Sequence, residues 1–251
     1  MKLKNKVALV TGGSRGIGRA ISLGLADEGA MVVVNYHSNK KAADEVVRKI
    51  KTKGRQAISV QADVSKKKEI DRMVNIAVKK FGKIDILVNN AGIGPFVDFF
   101  DVTEEIWDRI QAINTKSIFF ASQAVARVMV DRKIRGKIIN ITSISGEKAT
   151  DPLQVPYCTS KGGANMLTKI MAVALAQYKI NVNAILPGTV ETDINRDILA
   201  NKKVREGIIN NTPLRILGEP TDIVEATILF ASEGAKWITG SLLVIDGGFT
   251  A

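Results

Sequence analysis

The sequence predicts a single α/β domain built on a doubly wound, parallel sheet of seven strands with helices on both faces. Three observations carry that prediction. Seven short aliphatic runs recur along the 251 residues, amphipathic stretches with helical spacing lie between them, and no linker, repeat or shift in composition divides the chain. Continuous apolar strands suit a sheet covered on both faces, and strand–helix alternation with right-handed crossovers makes such a sheet parallel.

In chain order the strands are expected at Val7 to Val10, Met31 to Val34, Ala57 to Val60, Ile86 to Val88, Lys137 to Ile141, Val182 to Leu186 and Leu242 to Ile245. After the second run, Ala43, Val46, Val47 and Ile50 recur at helical spacing; after the third, Ile70, Met73, Val74, Ala77 and Val78 do the same. Each set gives one apolar helix face. No apolar run approaches the ~20 residues that cross a bilayer, and Met1 to Lys6 has no apolar signal core, so a cytoplasmic protein without membrane contact is expected.

The net charge of +11 raises a nucleic-acid reading. Lysine and arginine are spread along the helical stretches, however, and the densest run, Lys66-Lys67-Lys68, has no interleaved aromatic residues. It reads as a solvated helix face, and the basic field suits encounter with a phosphorylated small molecule better than with DNA. Cys158 is the only cysteine and His37 the only histidine. An internal disulfide is excluded, as are Ser-His and His-metal chemistries, and no metal is expected.

Directly after the first strand comes Thr11-Gly12-Gly13-Ser14-Arg15-Gly16-Ile17-Gly18, followed by the helical run Arg19 to Ala26. Gly12 permits the tight turn, Gly16 lets backbone approach a pyrophosphate at the positive end of the helix, and Gly18 lets helix pack on strand. The spacing is GxxxGxG. On its own it also fits an ordinary strand-to-helix turn; strand before and helix after favour a dinucleotide. An NAD site usually places an acid at the end of the second strand for the ribose 2′-hydroxyl, and Val34 to Lys40 contains none. Arg15 with Tyr36, His37 and Ser38 suits a 2′-phosphate, so NADP is expected, with NAD as the other possibility.

Asn89-Asn90-Ala91-Gly92 follows the fourth strand, Asn114 stands alone further on, and Ser143 precedes Tyr157-Cys158-Thr159-Ser160-Lys161, with Pro187-Gly188 later. Tyr157 and Lys161 are four apart, on one helix face. A nearby ammonium favours the phenolate, so Tyr157, which titrates at about 10 when free, is expected to be pulled towards working pH by Lys161 and an oxidised nicotinamide. It then serves as general base for alcohol oxidation and as acid for the reverse.

In this order and spacing the motifs resemble the short-chain dehydrogenase/reductase family, from Thr11 to Gly248. The resemblance implies a Rossmann-type domain and a catalytic set of Asn114, Ser143, Tyr157 and Lys161. In it Ser143 holds the substrate oxygen and Asn114 holds a water that links Lys161 to solvent. It further implies Gly12, Ser14, Arg15, Gly16, Ile17 and Gly18 at the phosphates, Asp63 and Val64 at the adenine, and Asn90, Ala91 and Gly92 at the adenosine ribose. Tyr157 and Lys161 would also contact the cofactor, Lys161 at the nicotinamide ribose, and Pro187, Gly188, Val190 and Thr192 would hold the carboxamide. Asp63 reads equally as a loop or helix cap ahead of Ser65.

Within the family, the stretches 91–100, 143–154 and 187–195 look most like the sugar-oxidising branch, the L-rhamnose 1-dehydrogenases in particular. Ser145, Gln154, Thr189 and Asn195 then meet sugar hydroxyls. Such polar groups penalise a plain alkyl substrate. The plainer reading makes Ser145 and Thr189 loop caps and Asn195 the cap of a helix running to Val204. A 3-oxoacyl carrier-protein reductase shares the core motifs, but Ala172-Val173-Ala174 stands where such enzymes often carry a docking arginine. A non-catalytic NADP-binding protein is the third reading. The resemblance also implies a homotetramer formed through helices Glu104 to Arg132 and Tyr157 to Gln177 together with the last strand and Asp246 to Ala251. A substrate lid is expected at about 191–217, with Gly218-Glu219-Pro220 near its far hinge.

Overall fold

The computed structural model describes residues 1–193 and 195–251; Ile194, within the expected lid, lies outside them. Strands β1 (Val7–Val10), β2 (Met31–Tyr36), β3 (Ala57–Gln61), β4 (Ile86–Asn89), β5 (Lys137–Ile141), β6 (Asn181–Pro187) and β7 (Leu242–Ile245) make one sheet in the order β3-β2-β1-β4-β5-β6-β7. Every neighbouring pair is parallel. The strands stand where the apolar runs do; β2 and β6 reach two residues further, and β3 and β4 one. Asn35 and Tyr36 continue the ladder opposite Val60 and Gln61 although the apolar pattern ends at Val34.

The helices are α1 (Gly16–Asp27), α2 (Lys40–Thr52), α3 (Lys67–Phe81), α4 (Glu104–Gln111), α5 (Ser117–Asp131), α6 (Val155–Leu175), α7 (Arg196–Leu199), α8 (Lys202–Asn211) and α9 (Val224–Ala231). Side chains alternate across the sheet. Ala8, Val10, Val32 and Val34 join the core beneath α1, α2 and α9, while Leu9, Val33, Leu87 and Ile138 join the core beneath α3, α5 and α6. Each fully buried Val, Leu or Ile contributes about 1.5–3 kcal/mol, so the two cores fix the strand register.

Two helices differ from expectation. Glu104 to Arg132 is not one uninterrupted α-helix: α4 and α5 are joined by a π turn, Ala112–Lys116, with Asn114 at its middle. α6 starts two residues before Tyr157, with Pro156 in its first turn, where its missing N–H costs nothing. It gives way at Ala176–Tyr178 to a 3-10 turn.

Strand order reverses direction between β1 and β4: β2 and β3 lie to one side, β5 to β7 to the other. The loops leaving these two strands therefore part and open a crevice at the carboxyl edge, where α/β sheets bind their ligands.

Candidate active site

The loop after β1 is shaped by backbone that tolerates no side chain. Gly12 and Gly16 hold φ of 61° and 50°, left-handed values that favour glycine. A Cβ on Gly18 would sit 2.3 Å from the Gly12 carbonyl oxygen and 2.4 Å from Asn90 Nδ2. Thr11 Oγ1 accepts from the N–H groups of Asn90 and Ala91 at 2.9 and 3.1 Å, and Asn90 Nδ2 donates to the carbonyls of Thr11 and Gly12 at 3.0 and 3.1 Å. The two diverging loops are thus stitched together. Asn35, which the sequence reading passed over, accepts from Gly12 N–H at 3.1 Å and donates to the carbonyls of Val60 and Ala62. Its signal in the sequence is one amide closing an otherwise aliphatic strand.

Ser14 is buried, Ile17 partly so, and Arg15 is exposed at the N-cap of α1 without a side-chain cap bond. The free N–H groups of that first turn, above a glycine floor, fit a dinucleotide pyrophosphate. Across the crevice Thr192 leans on this floor, its Cγ2 3.3 Å from where a Gly16 Cβ would stand. At the end of β2, His37 and Ser38 are exposed whereas Tyr36 is packed in the core. The window 34–40 holds no acid, yet the fold brings Asp63 from the end of β3 to 4.0 Å from His37 Nε2. Asp63 also accepts from Ser65 N–H and hydroxyl at 3.0 and 2.7 Å, the expected cap. Burial raises its pKa, but the Ser65 bonds and the His37 and Lys66 charges outweigh that and hold the carboxyl below its ordinary range. Val64 beside it is buried.

The fold gathers the four expected catalytic residues from three elements. Asn114, wholly buried in the π turn, accepts from Ile93 N–H at 2.9 Å and donates to the Ile93 carbonyl and to Ser160 Oγ at 2.8 and 3.0 Å. Its amide thereby holds the chain just after Gly92; π turns are frequent at such sites. Gly92 leaves the space beside it open: a Cβ there would stand 3.4 Å from Asn114 Oδ1 and 3.6 Å from Lys161 Nζ. Two residues on, Gly94 lies flush on the Tyr157 ring, where a Cβ would come within 3.0 Å of Cδ2. Lys161 Nζ donates to the Ile141 carbonyl at 3.2 Å and sits 5.5 Å from the centroid of the Tyr157 ring.

The electrostatics of the protein without cofactor bear on one half of an expectation, the pull of Lys161 on Tyr157. Burial pushes the Tyr157 phenol above its ordinary value; a hydrogen bond with Ser143 opposes this, and Lys161 contributes no lowering. Burial instead acts on the lysine, whose pKa is pushed down to about 8. In the protein without cofactor it is therefore the ammonium that gives up its proton first, because desolvation penalises whichever member is charged. A bound nicotinamide supplies the hydride acceptor or donor. Ser143, Tyr157 and Lys161 thus stand together at the carboxyl edge of β5.

Comparison with known proteins agrees. The sequence family described as enoyl-(acyl carrier protein) reductase matches residues 12–250. An L-rhamnose 1-dehydrogenase (NADP(+)) of Thermoplasma acidophilum is 39% identical over 248 residues, 99% of this chain and 97% of that one. The chain belongs to the short-chain dehydrogenase/reductase family. A 3-oxoacyl-(acyl-carrier-protein) reductase of Staphylococcus epidermidis is 41% identical over 97% of this chain and 98% of its own. Among solved structures, a blue fluorescent protein from a metagenomic library, in complex with NADPH, superposes with a TM-score of 0.94 at 35% identity, covering 100% of both chains. As a short-chain dehydrogenase/reductase, the chain is an NAD(P)-dependent oxidoreductase acting on CH–OH groups.

The substrate side of this short-chain dehydrogenase/reductase only partly follows the sequence reading. Ser145 Oγ bonds Thr150 Oγ1 at 2.8 Å, closing its own loop. Asn195 does not cap a helix reaching Val204: its Oδ1 accepts from Thr192 N–H at 2.8 Å and its Nδ2 donates to the Val190 carbonyl at 2.9 Å. The helix breaks instead between α7 and α8, where Asn201 caps the second. Gln154, half-buried, and Thr189, exposed, make no side-chain hydrogen bond among the described residues. Pro187 ends β6, Gly188 abuts Asp246, and Val190 bridges to Gly218, so the two ends of the 191–217 segment meet. No helix of the described residues is long and apolar enough to cross a membrane, and no group of potential metal ligands occurs among them.

Proposed function

We propose that this enzyme oxidises an aldose, L-rhamnose or a close relative, at C1 to the lactone with NADP. The C1 hydrogen leaves as hydride to NADP and the hydroxyl proton goes to Tyr157, which passes it through Lys161 towards solvent; Asn114 keeps the expected water. The observation that carries the reading is the pair of uncommitted polar side chains, Gln154 ahead of Tyr157 and Thr189 after β6, in a chain 39% identical to an L-rhamnose 1-dehydrogenase. Hydroxyls of a polyol give both groups partners that an alkyl chain leaves unpaired. Ser145 and Asn195 join them where their present bonds open.

In this reading Arg15, His37 and Ser38 take the 2′-phosphate with Tyr36 behind them, and Gly12 to Gly18, Ser14 included, take the pyrophosphate. Asp63 and Val64 meet the adenine, Asn90 to Gly92 and Lys161 the riboses, and Pro187, Gly188, Val190 and Thr192 the carboxamide. Residues 191–217 act as a lid. The working form is a cytoplasmic homotetramer, supported by exposed Trp107 and Phe119 on α4 and α5 and by Met166, Ile170 and Val173 on α6.

A second reading, reduction of a 3-oxoacyl thioester, draws support from the 41% identical carrier-protein reductase. Exposed apolar side chains favour it too: Phe96 and Leu153 in the variable stretches, Leu214 and Ile216 in the 191–217 segment. Initial rates of NADP and NAD reduction at mildly alkaline pH across L-rhamnose, other aldoses and simple alcohols, with a 3-oxoacyl thioester and NADPH in reverse, separate the two. Selective turnover of L-rhamnose or another aldose with NADP is expected; turnover of the thioester alone overturns the sugar reading.

A further inference from the structure

Ser143 is carried on a tight turn, and the structure shows what holds that turn from behind. Its Oγ accepts from Ser145 N–H at 3.1 Å and its carbonyl accepts from Gly146 N–H at 3.1 Å. The Ile144 carbonyl then accepts from Glu147 and Lys148 N–H at 2.9 and 3.0 Å. These bonds join residues 143–148 into one turn, with Ser143 at one end and Lys148 at the other.

Lys148 does not project freely into solvent. Its Nζ donates to the Phe249 carbonyl at 3.2 Å and lies 4.7 Å from the centroid of the Phe249 ring. The ring itself packs with Leu242 on the small core of Ile144, Ala184 and Leu186. Phe249 thus meets Lys148 directly and packs against the cluster that contains Ile144. The segment presenting it is firmly built. Asp246 accepts from Gly248 N–H, Thr250 N–H and Thr250 Oγ1 at 2.9, 2.8 and 2.7 Å. The same segment takes Leu214 N–H on the Gly247 carbonyl at 3.1 Å.

We propose that Lys148 and Phe249 are positioning residues: they clamp the 143–148 turn onto the Asp246–Thr250 segment and so fix the Ser143 hydroxyl opposite Tyr157. The inference rests on the reading of Ser143 and Tyr157 as the pair that meets the substrate oxygen, and on no particular substrate. A cation over a ring together with a hydrogen bond from the same ammonium is worth enough to shift a local opening equilibrium severalfold.

The test uses the full chain with saturating NADPH and the variants Lys148→Met, Lys148→Arg and Phe249→Leu. Amide hydrogen exchange over Ser145 to Lys148 is expected to quicken about three- to tenfold in Lys148→Met and Phe249→Leu and to return towards the parent value in Lys148→Arg, which keeps the cation. On whichever substrate the rate panel identifies, kcat is expected to fall by a similar factor in the first two variants. NADPH affinity should not change, and KM should move little, because Ser143 acts most on the transition state. Unchanged exchange in Lys148→Met overturns the clamp. Faster exchange with unchanged kcat overturns its link to Ser143. The exchange experiment needs no substrate, so failure of the aldose reading and failure of the clamp are distinguishable.

Discussion

On the β1–β4 side of the crevice, Thr11, Asn35 and Asn90 bond the backbone of neighbouring strands and loops, whereas on the β5–β6 side Ser145 and Asn195 bond within their own loops. Gln154 and Thr189 bond nothing through their side chains among the described residues. The first side is a rigid socket whose polar atoms are tied to the sheet. The second is a set of loops whose polar side chains bond over short range or not at all. A rigid socket beside loops whose polar side chains bond only locally is an arrangement in which one fold can serve several substrates.

The comparison breaks first if chemistry and cofactor binding do not separate. Tyr157→Phe removes one hydroxyl from the variable side and leaves the socket intact, so kcat should fall by about 10²–10⁴-fold while NADPH affinity, followed by fluorescence titration, stays at the parent value. Loss of NADPH binding would show that Tyr157 belongs to the socket.

Asn35→Leu attacks the socket itself. It strands the Gly12 N–H and the Val60 and Ala62 carbonyls in a site that is 2% exposed. Urea denaturation should show a loss of about 2–4 kcal/mol, with weakened NADPH binding in whatever remains folded. A change below about 0.5 kcal/mol would mean the socket is not held by that amide.

Lys161 sharpens the contrast between stability and function. With its pKa at about 8 in the folded protein against an ordinary 10.5, the lysine is charged in both folded and unfolded chains below pH 8, and the full cost of burying that charge is present there. Between about 8 and 10.5 the folded chain alone sheds the proton and the cost shrinks; above both values it is gone. Lys161→Met should therefore stabilise the fold at pH 7 by about 3 kcal/mol, lose that gain by pH 10.5, and abolish turnover. In the parent enzyme, kcat/KM for oxidation should rise with pH through about 8 as the Tyr157–Lys161 pair opens a place for the substrate proton. A Lys161→Met protein less stable at pH 7 would contradict this account.

The same division explains what the sequence made legible. Strand positions followed from aliphatic runs because most strands are buried on both faces, and Gly12, Gly16 and Gly18 were legible because left-handed backbone at the first two favours glycine and a side chain at the third would strike the Gly12 carbonyl. Asn35 was not, since an amide inside a strand has a role only once the Gly12 loop is folded over it. Asp63 near His37 was missed because the two come from neighbouring strand ends 26 residues apart in the chain. The π turn around Asn114 leaves no periodicity to read, its neighbours being helical on either side.

The smallest expected effects lie within the variable side, and they decide how far a polar residue at the right sequence position is a substrate contact. Gln154→Ala and Thr189→Ala remove groups that have no side-chain partner among the described residues, so each should raise KM for the preferred aldose about three- to tenfold at nearly constant stability. Ser145→Ala and Asn195→Ala instead break loop bonds. Both should lower stability by about 0.5–1.5 kcal/mol and affect KM only as far as their loops shift. Thermal denaturation measured beside KM on all four variants distinguishes the two pairs. If Ser145→Ala raises KM as much as Gln154→Ala without loss of stability, the Thr150 bond exchanges for a substrate bond, and the loop closed in this structure opens during turnover.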